Sequence, residues 1–293
     1  MLLVKNTIER LFYVIMVFYI TTACDDRPQP ASNARRIISL SPNITEIIYA
    51  LGAEKDLVAV SSFCNYPPAV KEKEKIGGLL DPNIEKIISL NPTMLLGVPA
   101  HQKLDQDLRR FNLQILMLPN ESVIDIIHAI DTLGQILHYG HEARELIRRL
   151  ENELDLLAGG RKLHPPCTAV LVIGKEPGSL QNLMVAGPHT FVDELWNTVG
   201  GTNVFADLPV HYSTVNLETI IQRNPRVILQ FAPDRPDGIY TSEQEPEWQY
   251  LKEISAVKNR NLYTIGGDYI FIPGPRFTLL ARDFAKIINQ VIP

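Results

Sequence analysis

The sequence predicts an α/β fold of two similar lobes, each built on a mostly parallel central sheet, with one long helix joining them. Three observations carry this. Short β-branched runs alternate with amphipathic stretches from Arg36 onward, the pattern of a parallel sheet with helices on its faces. A sixteen-residue unit occurs twice: residues 83–98 read NIEKIISLNPTMLLGV and residues 216–231 read NLETIIQRNPRVILQF, identical at seven positions. Between the copies runs an uninterrupted amphipathic stretch, His141–Gly160.

Arg36–Ser41 reads as a buried strand, and Asn43–Leu51 as a helix ended by Gly52. Asp56–Ser62 is a second strand; Met94–Val98 and Gln114–Pro119 follow, each after a helix. In both repeats Asn, or the residue before it, caps a short helix with Glu in its first turn, and Asn-Pro stops it ahead of a strand. Local physics explains the cap and the stop. It does not explain why the whole unit recurs 133 residues later, so two lobes of similar build are expected. Between them lie Ser122–His138 and His141–Gly160. In the latter, Leu146, Ile147, Leu150, Leu154 and Leu157 form one apolar stripe, a rigid strut rather than a Gly/Ser hinge. Pro165-Pro166 restarts a strand at Thr168–Ile173, and helices are expected at Phe191–Val199, Glu245–Ile254 and Phe277–Val291. The expected organisation is a first lobe at 36–138, a connecting helix at 139–161 and a second lobe at 162–293.

The 293 residues are 45% hydrophobic and 21% charged, which excludes a disordered or fibrous chain. With 28 Lys+Arg against 33 Asp+Glu, the net charge of −5 argues against a nucleic-acid partner. Residues 1–23 carry Lys5 and Arg10, an apolar run from Leu11 to Ile20, and Thr21-Thr22-Ala23 before Cys24. That is a secretory leader, too short in its apolar part to span a bilayer comfortably. The cysteine after Thr-Thr-Ala resembles a bacterial lipobox, so 1–23 is expected to be cleaved and Cys24 to be lipidated, anchoring an extracytoplasmic protein to the membrane. Residues 24–35 are a polar tether.

No Walker loop, GxGxxG, GxSxG or HExxH is present, so the expectation is not an enzyme and no intrinsic cofactor or metal site. His138 and His141 flank a helix boundary, and the Ser255-Ala-Val-Lys258 motif lacks its usual partners. Asp105, Asp107 and Glu121 lie in polar loop stretches with no expected role beyond solubility. Cys64 and Cys167 fall in different lobes and are expected to be two buried thiols.

Ordered strings add a resemblance. Ser-Leu-Ser-Pro-Asn-Ile-Thr-Glu (39–46), Leu-Gly (51–52), Val-Ser-Ser…Tyr-Pro-Pro (60–68), Ile-Gly-Gly…Pro-Asn-Ile-Glu (76–85) and Asn-Pro (91–92) occur in the first half. Ala186-Gly187, Phe191–Leu195, Gly200–Phe205, Val215–Glu218 and Pro273-Gly-Pro-Arg276 continue in the second. Over residues 36–290 the chain resembles the substrate-binding proteins of ABC importers for cobalamin, haem and ferric siderophores. The resemblance implies a ligand cleft between the lobes, partnership with an ABC permease and its ATPase, and a monomer when free. It also implies that Glu85 and Glu218, one per lobe, dock on arginine pockets of the permease.

Phe63, Tyr66, Leu79, Leu80, His101, His189, His211, Tyr212, Tyr269 and Arg276 are the candidate cleft residues. Aromatic faces suit a flat macrocycle, and Arg276 suits a carboxylate or phosphate. Phe63 stands where cobalamin binders carry Tyr, and Leu79 where an aromatic ring covers the corrin. His211-Tyr212 would offer an axial ligand to haem. The expected ligand is a cobalamin-type corrinoid or another metal chelate, with ferric siderophore and haem as alternatives. A sensor module or an exported hydrolase are the readings outside this class.

Overall fold

In the computed structural model the described residues are 35–159, 166–176, 178–241 and 246–292. The leader, Cys24 and the tether up to residue 34 lie outside them. Strand β1 (Ile37–Ser39) is buried throughout and is followed by α1 (Pro42–Ala50), which starts on a proline whose missing N–H costs nothing at that position. Strands β2 (Leu57–Val60) and β3 (Glu74–Lys75), helix α2 (Ile84–Ser89), β4 (Met94–Gly97), α3 (Gln102–Arg109) and β5 (Ile115–Met117) complete the first lobe. The five strands lie in the order β3-β2-β1-β4-β5, all parallel, with Ile37 opposite both Leu57 and Met94. Each central strand buries two or three apolar side chains, worth roughly 1.5–3 kcal/mol apiece.

Helices α4 (Val123–Leu137) and α5 (Gly140–Ala158) connect the lobes. The expected stripe is present: Leu146 and Leu150 are buried, and Ile147, Leu154 and Leu157 pack against the core. The strut is not alone, however, because α4 packs along it so closely that a Cβ on Gly134 would lie 2.3 Å from the Ala143 methyl.

The second lobe contains β6 (Cys167–Gly174), β7 (Leu183–Ala186), α6 (Phe191–Thr198), β8 (Gly201–Asn203), β9 (Tyr212–Val215), α7 (Leu217–Arg223), β10 (Val227–Ala232), β11 (Gly238–Thr241), α8 (Ser255–Lys258), β12 (Leu262–Gly266) and α9 (Phe277–Val291). Its sheet runs β11-β12-β10-β6-β7-β9, with β8 on β6. The centre is parallel, but β11, β7 and β9 pair antiparallel, so this sheet is mixed rather than mostly parallel. The link from Gly174 to Leu183 has eight residues, too few for a parallel crossover, so β7 returns antiparallel.

The repeat is structural. Asn83 and Asn216 each accept from the N–H three residues on, Lys86 and Thr219, at 2.9 Å. Asn91 and Asn224 both end their helices at φ 44°, the left-handed region that asparagine tolerates. One expected element differs. Of the expected helix Glu245–Ile254, the described residues 246–254 form no α-helix and contain a single 3₁₀ turn, Pro246–Trp248. The fully buried indole of Trp248 donates to Gln230 of β10 at 3.0 Å, holding this segment on the sheet.

One core cluster joins both lobes. It takes Ile37, Val60 and Leu96 from the first sheet and Leu171, Leu229 and Ile265 from the second, through Leu133, Leu146, Trp196 and Phe284. Trp196 and Phe284 meet edge to face at 5.3 Å. Cys64 and Cys167 are buried free thiols, each pushed up to about 11 chiefly by burial.

Candidate functional site

In the first sheet the strand order reverses at β1 and β4, and in such sheets ligands bind beyond the carboxyl ends of the strands at that reversal. A cavity of about 580 Å³ lies there. Leu40 and Ser41 line it after β1, Ser61 and Phe63 after β2, Val98 to His101 after β4, and Asn120 and Glu121 after β5. Leu79, Leu80 and Asp81 close one side. Phe63 and Leu80 are the most exposed large apolar side chains of this set, at 62% and 95%. Gly78 makes room for Phe63 and Asp81: a Cβ there would sit 2.8 Å from the Phe63 ring and 2.6 Å from the Asp81 carboxylate.

The second lobe reaches this cavity through Glu121. Its backbone carbonyl accepts from Phe191 N–H at 2.8 Å, and its carboxylate lies 3.9 Å from His211 Nδ1. Partial burial, with the Glu121 charge beside it, pushes the Tyr212 hydroxyl up to about 12, so it stays a neutral donor. Glu121 therefore has a position that its polar loop setting did not reveal. Asp105 is likewise more than a solubilising group: it is buried, accepts from Ile115 N–H at 2.7 Å and pairs with Arg109, fastening α3 to β5.

Arg276 stands at a second junction between the lobes. Its Nη2 donates to Glu46 Oε1 at 2.5 Å, its Nε to Glu46 Oε2 at 3.0 Å, and its Nη1 to Asp268 Oδ1 at 2.7 Å. The Tyr66 ring lies 4.0 Å from the guanidinium carbon. Burial pushes the Glu46 carboxyl upward, and the guanidinium opposes that. The arginine expected to meet a ligand anion is thus committed to two carboxylates and covered by a ring. Removing it would leave a buried carboxylate unpaired, a loss of about 3–5 kcal/mol.

Three other expected cleft residues sit differently. Tyr269 is 3% exposed, and its hydroxyl donates to Asp283 Oδ2 at 2.5 Å, so it is part of the core. The chain reaches it through Gly267, whose φ of 130° few other residues adopt. His189 lies in a separate groove with Val123, Ile124, Leu154 and Asn197, on the helical side. His101 lines the cavity but is 3% exposed, and its Nδ1 accepts from Val98 N–H at 3.0 Å. Burial lowers its pKa and keeps it neutral. The structure therefore brings together Phe63, Leu79 and Leu80, places His211 and Tyr212 beside Glu121, and stacks Tyr66 on Arg276.

Sequence reasoning overlooked Glu46, Asp81, Glu121 and Asp268. The available signal for Glu46 and Glu121 was position: both follow the carboxyl end of a parallel strand. Among the described residues no group of three or more His, Cys, Asp or Glu is placed to hold a metal ion. Nor is any described helix long and apolar enough to cross a membrane. Glu85 and Glu218 are both exposed, each one turn-start residue into its repeat helix. A wider groove of about 1120 Å³ borders Glu218 and Tyr250 and shares no lining residue with the cavity.

Comparison with known proteins agrees with this geometry. A vitamin B12-binding protein of Vibrio vulnificus (strain YJ016) is 30% identical over 255 residues, covering 86% of this chain and 89% of that protein. The periplasmic vitamin B12 binding protein BtuF of Vibrio cholerae superposes with a TM-score of 0.72 at 26% identity, over 88% of this chain and 98% of its own. A possible iron-binding periplasmic solute-binding protein of Staphylococcus epidermidis ATCC 12228 gives 0.74 at 25% identity, over 87% and 98%. The profile described as periplasmic binding protein matches residues 37–269, and the chain belongs to that family.

Proposed function

We propose that this protein is an extracytoplasmic, lipid-anchored substrate-binding protein that captures a corrinoid or similar metal chelate and delivers it to an ABC permease and its ATPase. The observation that carries the reading is the cavity at the strand-order reversal, floored by exposed Phe63, Leu79 and Leu80 and faced across Glu121 by His211 and Tyr212. An apolar floor with a few fixed polar groups suits a large, flat, amide-rimmed ligand. The relatives named for vitamin B12 favour a corrinoid, and the iron-binding neighbour keeps a ferric siderophore as the second reading. Calorimetric titration with cyanocobalamin, haemin and a panel of ferric siderophores tests this. Saturable binding of cyanocobalamin in preference to the others is expected; preference for haemin or a siderophore would replace the corrinoid.

Tyr212→Ala should weaken binding of the preferred chelate by about 1–3 kcal/mol, the loss of one aromatic contact with its hydroxyl donor. Unchanged affinity in a folded variant would move the ligand away from the second lobe's rim. Growth with labelled palmitate should label the wild-type protein, and Cys24→Ala should abolish the label. An unlabelled wild type would make Cys24 merely the residue after a cleavage site.

A further inference from the structure

We propose that the cavity selects chelates without net negative charge, and that the carboxylates of Asp81 and Glu121 set this preference. The inference rests on the receptor reading and narrows its ligand class. None of the described residues lining the cavity is lysine or arginine, and its one histidine, His101, is buried and held neutral. The lining charges are Asp81 and Glu121, both exposed. Arg276 is already paired with other carboxylates, since each of its three nitrogens donates to Glu46 or Asp268 and Tyr66 covers its face. Around the cavity and this junction, four carboxylates stand against one guanidinium and the His211 ring, whose Nδ1 lies 3.9 Å from Glu121. Arg235, at the carboxyl end of β10, is engaged over the Tyr240 ring at 5.5 Å.

An anionic ligand entering an apolar cavity needs a counter-charge, and here it would meet repulsion. A neutral chelate rimmed by amide N–H groups would instead find charged acceptors at the mouth, where such hydrogen bonds are strongest. The same geometry thus favours amide-bearing neutral ligands and rejects propionate, catecholate or carboxylate rims.

Two matched pairs test this by calorimetry at pH 8. The first is cyanocobalamin against the monocarboxylic acid made by hydrolysing one of its peripheral amides. The second is a neutral ferric trihydroxamate against an anionic ferric triscatecholate. In whichever pair binds, the neutral member should bind at least about tenfold more tightly than the anionic one. In the Asp81→Asn, Glu121→Gln double variant that gap should shrink to about threefold or less. Equal or tighter binding of the anionic member by wild type overturns the inference and leaves the receptor reading standing. A gap undiminished in the double variant overturns the role given to the two carboxylates. Failure of all four probes to bind folded protein overturns the receptor reading, and this inference with it.

Discussion

Reversing Glu85 and Glu218 together to lysine should abolish uptake through the reconstituted importer while leaving chelate affinity in solution within about twofold. Both residues are exposed, occupy the same place in the two repeats and form no ion pair among the described residues. Neither lines the cavity, so ligand binding has no reason to change. Two separated carboxylates suit a two-fold transporter carrying arginines at matching distance. On the docking that the family resemblance implies, lysine in their place would meet like charge and leave the permease arginines desolvated without compensation, a penalty of several kcal/mol. Each single reversal should cost less than the double. The association rate of wild type should fall with salt, and that dependence should be largely lost in the double variant. Normal transport by the double variant would reduce both residues to favourable first-turn charges worth about 0.3–1 kcal/mol each.

The second large effect is on stability. Arg276→Ala should destabilise the protein by about 3–5 kcal/mol, because Glu46, 4% exposed, loses its bidentate partner. For a chain of this size that corresponds to a fall in Tm of roughly 10 °C. The deficit should depend on pH with a definite sign. An unpaired buried carboxyl titrates above its ordinary value of 4.5 in the folded state, so folding favours its protonated form. The variant is then least handicapped in acid, and its deficit grows as the pH rises from 5 to 8. Glu46→Gln added to Arg276→Ala should flatten that pH dependence and recover part of the stability. A variant that melts within about 2 °C of wild type at pH 8 would show that the pair is dispensable.

Much of this architecture was legible in the chain. The helices at 42–50, 191–198 and 277–291 lie within two residues of their sequence limits, because caps, Pro and Gly-Gly punctuate them. The repeat was readable because its signal is the recurrence of residues, and the paired left-handed asparagines show why those residues recur. What escaped were features set by distant partners. Arg276 and Glu46 are 230 residues apart, so nothing local to either shows that they neutralise each other. Tyr269 is held in the core by Asp283, fourteen residues on, a partner that nothing local to the tyrosine shows. The antiparallel return of β7 on β6 depended on a link too short for a parallel crossover, which apolar patterning does not register. The segment after Pro246 carries helix-forming residues, but a tertiary hydrogen bond from Trp248 decides its shape.

The shared core has a consequence for traffic. With side chains from both sheets interlocked through three long helices, any large swing of one lobe against the other would have to break a shared core. Capture then carries little conformational tax, and its speed is left to diffusion and steering. Empty and loaded carriers are then expected to present nearly the same outer face. On the receptor reading, a transporter cannot tell them apart by that face alone, so empty carriers queue for the same berth and inhibit delivery when they outnumber their cargo.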